Sequence, residues 1–253
     1  MIDPWPLVGR DPELAYVLER LGGPVAAGVV IAGESGVGKT RLAAEVRQRL
    51  EHAGIASVRV AATRAAASIP FGALAPLLPR VVDRPDDLLD LFTGAATALA
   101  ELAAPLPGPR GRPGAGPPRL GLFVDDAHLL DDASAALVLQ VAAQPWCRLV
   151  ATIRSGEPAP DAIVALWKDG LADRLELSAL SPADSETLID ALLTSVHGAS
   201  RPVAAATVER LLERSGGNAL YLRELVVGVV VAGALELDLG LWRLGGAAAA
   251  PVR

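Results

Sequence analysis

The sequence predicts an α/β fold, with a parallel sheet flanked by helices and a small helical domain after it. Three observations predict this. Five short apolar runs recur before residue 180, and helical patterns lie between most of them. Such alternation argues for parallel strands covered on both faces. Beyond Leu180 the strand-like runs give way to three consecutive helical patterns. Finally, 253 residues at 51% hydrophobic content can bury one large core or two smaller ones.

The elements follow in order. Gly28-Val29-Val30-Ile31-Ala32 is a short apolar run, read as a buried strand. In Arg41–Leu50 the residues Leu42, Val46 and Leu50 recur every four positions, the apolar stripe of an amphipathic helix. Further strands are expected at Ser57–Ala62, Leu120–Asp125, Arg148–Ile153 and Arg174–Leu177. The proline- and glycine-rich stretch near 103–119 cannot be helix or central strand. It reads as a flexible insertion, with a binding loop as the alternative. Ser181-Pro182-Ala183-Asp184 carries a serine cap, a first-turn proline and an acid, the start of a helix over Pro182–Ser195. Helices over Pro202–Arg214 and Asn218–Val231 come next. Leu235, Leu237, Leu239, Leu241 and Leu244 around Asp238 and Gly240 suggest a terminal hairpin.

Between the first strand and the first helix stands Gly33-Glu34-Ser35-Gly36-Val37-Gly38-Lys39-Thr40, a match to the Walker A pattern. Glycines permit positive φ, so the backbone can turn a ring of N–H groups toward phosphate oxygens at a helix N-terminus. The backbone from Gly33 through Thr40, with Arg41 behind it, is therefore the expected nucleotide-binding stretch. Of 23 Lys and Arg residues only Lys39 and Lys168 are lysine. A compact ammonium on a flexible stem can reach a β- or γ-phosphate where a planar guanidinium cannot substitute. Lys39 is thus read as catalytic, and the Thr40 hydroxyl as a ligand of Mg²⁺. The fold expectation sharpens to a P-loop NTPase domain over 1–179 and a helical lid over 180–253.

Leu120–Asp126 is an apolar strand ending in two acids, the Walker B form. Asp125 is assigned to Mg²⁺ and Asp126 to the base that polarises the attacking water. Asp131 and Asp132 suit a helix cap better. Leu149–Arg154 is a second apolar strand with a polar end, so Thr152 or Arg154 can read the γ-phosphate, Arg154 through a charge-assisted hydrogen bond. His128 reads as structural, and no second histidine or cysteine stands at zinc-ligand spacing. An Asn-Lys-x-Asp guanine-reading element is absent, since Asn218 is the one asparagine and Ala219 follows it. Adenine, as ATP or ADP, is the expected base.

A net charge of −6 and a pI near 5.1 argue against a surface dominated by nucleic-acid binding. Cys147 is the only cysteine, so no internal disulfide can form. The first residues lack a signal-peptide pattern, and the apolar run Leu225–Leu235 is too short to span a bilayer. The expectation is a cytoplasmic protein with no membrane partner.

Several motifs together resemble the STAND ATPases. Leu7-Val8-Gly9-Arg10-Asp11-Pro12-Glu13 is similar to the hydrophobic-Gly-Arg-x-x-Glu element that precedes their P-loop. Val124–Asp131 and Ala151–Arg154 resemble their Walker B and sensor regions, and Ser215–Leu225 their lid motif. Ser68–Leu74 and Gly240-x-Trp242-x-Leu244 add a likeness to the large ATP-binding LuxR-family regulators related to MalT. The resemblance runs from Leu7 to Leu244. It implies that Val8 and Arg10 lie on the adenine side, and that a homo-oligomer forms in the ATP state. It also implies that DNA is bound only through a C-terminal domain not found in this sequence. One departure stands out: Ala219 occupies the proline of the usual Gly-Asn-Pro lid motif. The expected function is an ATP-binding, slowly hydrolysing switch. The rivals are a nucleotide-binding scaffold with negligible turnover and a small-molecule kinase, the latter without a distinct acceptor motif.

Overall fold

The structure is a computed structural model that describes residues 6–23, 27–77, 88–103, 119–198, 202–238 and 240–245. Most of the proline-rich stretch expected near 103–119, and Leu239 of the hairpin, lie outside the described residues. The chain divides into two units. One comprises Pro12–Gly33 and Lys39–Glu176, the other Met1–Asp11, Glu34–Gly38 and Leu177–Arg253.

In the larger unit, β1 (Ala27–Gly33), β2 (Ala56–Ala61), β3 (Leu120–Asp125), β4 (Cys147–Arg154) and β5 (Ala172–Glu176) form one parallel sheet in the order β2-β3-β4-β1-β5. The helices are α1 (Asp11–Gly22), α2 (Lys39–His52), α3 (Leu88–Ala103), α4 (Asp132–Ala142) and α5 (Asp161–Lys168). β1, β3 and β4 read as near-continuous apolar runs because both faces of a parallel sheet are covered. Val30, Ala32, Leu122, Val124, Leu149 and Ala151 are all buried in one cluster. Asp131 caps α4 by accepting from Ser134 N, as its position before the helix predicts. The same carboxylate accepts from Phe71 N at 3.1 Å. That bond holds Phe71, a buried non-glycine residue at φ +57°, in the left-handed region.

The order of strands positions the chemistry. β4 stands between β1 and β3, with Gly33 beside Arg154 and Val124 beside Ala151. The carboxyl ends of β1, β4 and β3 therefore bring Gly33, Arg154 and Asp125 to the same edge of the sheet, where ligands sit in parallel sheets.

The first helix, α1, was not expected from the sequence. Its carbonyls end on a buried arginine: Arg148 donates to Leu21 O and Gly23 O, and also to Pro145 O and Cys147 O. The helix closes because a distant residue satisfies its last carbonyls. Neighbouring Cys147 is buried, and burial pushes its thiol pKa up to about 12.

The smaller unit holds α6 (Pro182–His197), α7 (Ala205–Ser215), α8 (Ala219–Val231) and the antiparallel hairpin β6 (Leu235–Asp238) and β7 (Leu241–Leu244). Leu188, Ile189, Leu192, Leu211, Leu222 and Val226 form its core. Ser181 and Asn218 cap α6 and α8 by accepting from Asp184 N and Tyr221 N. α7 starts at Ala205 and not at Pro202, because the backbone there pairs with the hairpin. Trp242 N donates to Pro202 O, and Ala204 N to Trp242 O.

Candidate functional site

The phosphate loop begins where β1 ends. Gly33, Gly36 and Gly38 have φ of +154°, +83° and +105°, conformations that an L side chain rarely adopts. A Cβ at Gly38 would meet no atom within 4 Å, so this glycine is required by conformation and not by crowding.

Lys39 opens α2 and is buried. Its Nζ donates to Gly33 O at 2.9 Å. Burial lowers its pKa below the usual 10.5, and the nearby Asp126 opposes that shift most. Thr40 Oγ1 donates to Asp125 Oδ1 at 2.9 Å. Thr152, fully buried on β4, donates to the same oxygen at 2.8 Å. The Walker A hydroxyl and the Walker B carboxylate thus meet, although a strand separates their own strands in the sheet. Asp125 Oδ2 is taken by Arg59 of β2 at 3.0 Å. These residues open onto a cavity of about 130 Å³ with an apolar floor that includes Ala43, Ala44 and Phe123.

Asp126 follows in the left-handed region, at φ +53° and ψ +44°. Its backbone N–H donates to Thr152 Oγ1 at 2.9 Å. A non-glycine residue there costs of order 1–2 kcal/mol, a cost that Asp and Asn tolerate best. Thr152 therefore orients both acids, Asp125 through its side chain and Asp126 through its backbone. Arg154 Nε lies 4.0 Å from Asp126 Oδ1, and Arg154 Nη1 lies 3.2 Å from Glu157 Oε1. His128, with its side chain 1% exposed, lies 4.0 Å from Asp126 and 3.3 Å from Glu157. Burial pushes its pKa below the usual 6.5 against the attraction of both carboxylates.

In the smaller unit the tip of the loop, Glu34–Gly38, is held from two directions. Arg10, 6% exposed, donates to Val37 O at 3.2 Å and to Ser178 O. Asn218 Nδ2 donates to Ser35 O at 2.7 Å, and Leu220 N to Gly36 O at 2.9 Å. A Cβ on Gly36 would collide with the Asn218 amide. The guanidinium of Arg10 is engaged by backbone carbonyls, while Val8 is partly buried against the helical core.

The structure thus gathers Lys39, Thr40, Asp125, Asp126, Thr152 and Arg154. Arg59 and Glu157 were not singled out by sequence reasoning. Arg59 sits on a mixed strand with no motif around it. Glu157 has a faint signal, standing three residues beyond Arg154 across a glycine turn.

Comparison with known proteins bears on the fold and the family. The chain is similar in structure to the Aeropyrum pernix Orc1 protein, solved in complex with DNA, at TM-score 0.61 and 16% identity over 94% of this chain and 63% of that one. It is similar to domain III of the Thermotoga maritima replication initiation protein DnaA, at TM-score 0.57 and 15% identity over 91% and 88%. It is also similar to a K64R mutant of Thermotoga maritima RuvB, at TM-score 0.55 and 20% identity over 90% and 65%. The chain therefore spans less than two thirds of the Orc1 and RuvB chains, and identities this low speak for the fold alone. No curated protein matches the sequence. The profile described as the AAA ATPase domain matches residues 6–146, over half of the chain and including the loop, the lysine and both acids. With that match and the P-loop fold, this chain belongs to the AAA ATPase domain family.

Proposed function

We propose that the chain is an ATP-binding and slowly hydrolysing switch module, the NTPase part of a LuxR-type transcriptional regulator of the STAND class. The observation that carries the reading is the meeting of Thr40 Oγ1 and Thr152 Oγ1 on Asp125 Oδ1. Hydroxyl and carboxylate oxygens brought together in this way suit a hard divalent cation. Thr40 and Asp125 would hold Mg²⁺, which supplies positive charge to the β- and γ-phosphates when bound.

The chain's own residues have distinct roles in this reading. Backbone N–H groups from Gly33 to Arg41 bind the phosphates, and Lys39 neutralises their charge. Asp126 orients a water and accepts its proton as the water oxygen attacks the γ-phosphorus, while the bond from that phosphorus to the β–γ bridging oxygen breaks and ADP leaves. Arg154 donates to the γ-phosphate oxygens, which ATP carries and ADP lacks. Val8 and Arg10 belong to the adenine side, Arg10 by holding the loop. Residues 1–179 act as the nucleotide domain and 180–253 as the lid. ATP would favour one arrangement of the switch through its γ-phosphate contacts. Homo-oligomerisation in the ATP state, DNA binding by a domain outside this sequence and a cytoplasmic setting complete the proposal. Among the described residues no helix is long and apolar enough to cross a membrane.

Asp126→Asn tests the mechanism, because asparagine tolerates the same left-handed backbone. ATP binding should be retained. Single-turnover phosphate release should fall by about 10²- to 10⁴-fold, the usual contribution of a general base. Release at the original rate would remove Asp126 from the mechanism. Release too slow to detect in the unaltered chain would leave a nucleotide-binding scaffold.

A further inference from the structure

Arg154 is not idle at the end of β4. Its Nη1 lies 3.2 Å from Glu157 Oε1, after a turn in which Gly156 takes φ +82°. The other carboxylate oxygen of Glu157, Oε2, lies 3.3 Å from Nε2 of the buried His128, in proximity but without a formed hydrogen bond. The carboxylate thus lies between a buried ring and the guanidinium, and its hydrogen bond is to the guanidinium. Asp126 is the second acid near Arg154, at 4.0 Å. A guanidinium has a fixed fork of donors. The donors that face Glu157 cannot at the same time face a phosphate.

We propose that Glu157 is a positioning residue that competes with the γ-phosphate for Arg154 and so sets how strongly the site prefers ATP over ADP. The proposal rests on the reading of Arg154 as the γ-phosphate partner. With ADP present, or with no nucleotide, Arg154 stays on Glu157. With ATP, the three terminal oxygens of the γ-phosphate displace the carboxylate from Arg154. No covalent step is involved. The exchange swaps one charge-assisted hydrogen bond for another. Because the pair is about one third exposed, the competition is modest and the preference remains adjustable.

The test measures Mg²⁺-ATP and Mg²⁺-ADP affinities of the full chain by competition with a fluorescent nucleotide. Glu157→Gln keeps the shape of the side chain but removes the charge. Its ATP/ADP affinity ratio should rise about two- to five-fold, the range that exposed ion pairs span, with ADP affinity unchanged. Glu157→Asp, with a shorter arm and the same charge, should fall between. In an Arg154→Ala background, Glu157→Gln should have no effect on the ratio. A merely structural Glu157 would change both affinities together. If Arg154→Ala lowers the ratio while Glu157→Gln leaves it unchanged or lowers it, the competition is refuted and the role of Arg154 survives. If Arg154→Ala leaves the ratio unchanged, the role of Arg154 fails and the competition fails with it.

Discussion

His128 illustrates how much a single residue's setting decides. It follows the acid pair and reads in sequence as structural, and its ring is buried near Asp126 and Glu157. Burial is the largest influence and holds its pKa below 6.5, while Asp126 and Glu157 raise it and Arg154 and Lys39 lower it. The sign follows from linkage. Below pH 6.5 the unfolded chain takes up a proton that the folded chain refuses, so the unfolded state binds more protons and stability falls. The contribution is complete above pH 6.5 and is lost as pH drops toward the depressed folded value. The melting temperature should therefore decline between pH 7.5 and 5.5, and the decline should be smaller in His128→Gln. Equal declines in both proteins would show that His128 is not the titrating group. Asp126 makes a related point. Its left-handed backbone is invisible in the letters Asp-Asp, and only the hydrogen bond from its N–H to Thr152 accounts for it.

At the scale of elements, α8 is the most informative. Its cap residue Asn218 uses both ends of one amide: Oδ1 accepts from Tyr221 N, and Nδ2 donates to Ser35 O. The helix start and the loop tip are therefore fastened by the same side chain. Ala219 stands at the first helical position, where a proline would remove no needed hydrogen bond. Asn218 has φ −69° and ψ 112°, close to the extended conformation that a following proline requires. Ala219→Pro should accordingly stabilise the chain by about 0.4–1 kcal/mol through the unfolded state. A rise in melting temperature of roughly 1–4 °C is expected for a chain of this size. A fall would mean that the buried surroundings of Ala219 have no room for the ring. The end of α1 is likewise held from a distance, since its last carbonyls accept from Arg148, more than 120 residues away.

For the whole molecule, the order of the sheet is the decisive feature. Placing β4 between β1 and β3 delivers Thr152 and Arg154 to the edge where Lys39, Thr40 and Asp125 gather. A ligand that binds only the folded chain adds RT ln(1 + [L]/Kd) to stability, about 2.7 kcal/mol at a hundred-fold excess. Mg²⁺-ATP should therefore raise the melting temperature by roughly 5–10 °C. Lys39→Ala should lose most of that shift, because it removes the one cation on the loop that can follow the phosphates. A full shift in Lys39→Ala would overturn the assignment of the loop.

The sequence by itself determined the parts with local causes. The glycines and lysine of the loop, the apolar runs of β1, β3 and β4, and the caps at Ser181 and Asp131 each depend on residues within a few positions. That is why Lys39, Thr40, Asp125, Asp126 and Arg154 could be named as a candidate site before any contact was known. The tertiary structure alone decided which of these groups touch. Strand order set Thr152 on Asp125, the β2–β3 pairing brought Arg59 to the same carboxylate, and packing set Glu157 beside His128. These contacts join residues through pairing and packing across the chain, and no local pattern encodes them. The physical reason is that hydrogen-bonding partners are fixed by distances in space, while periodicity and capping report only on distances along the chain.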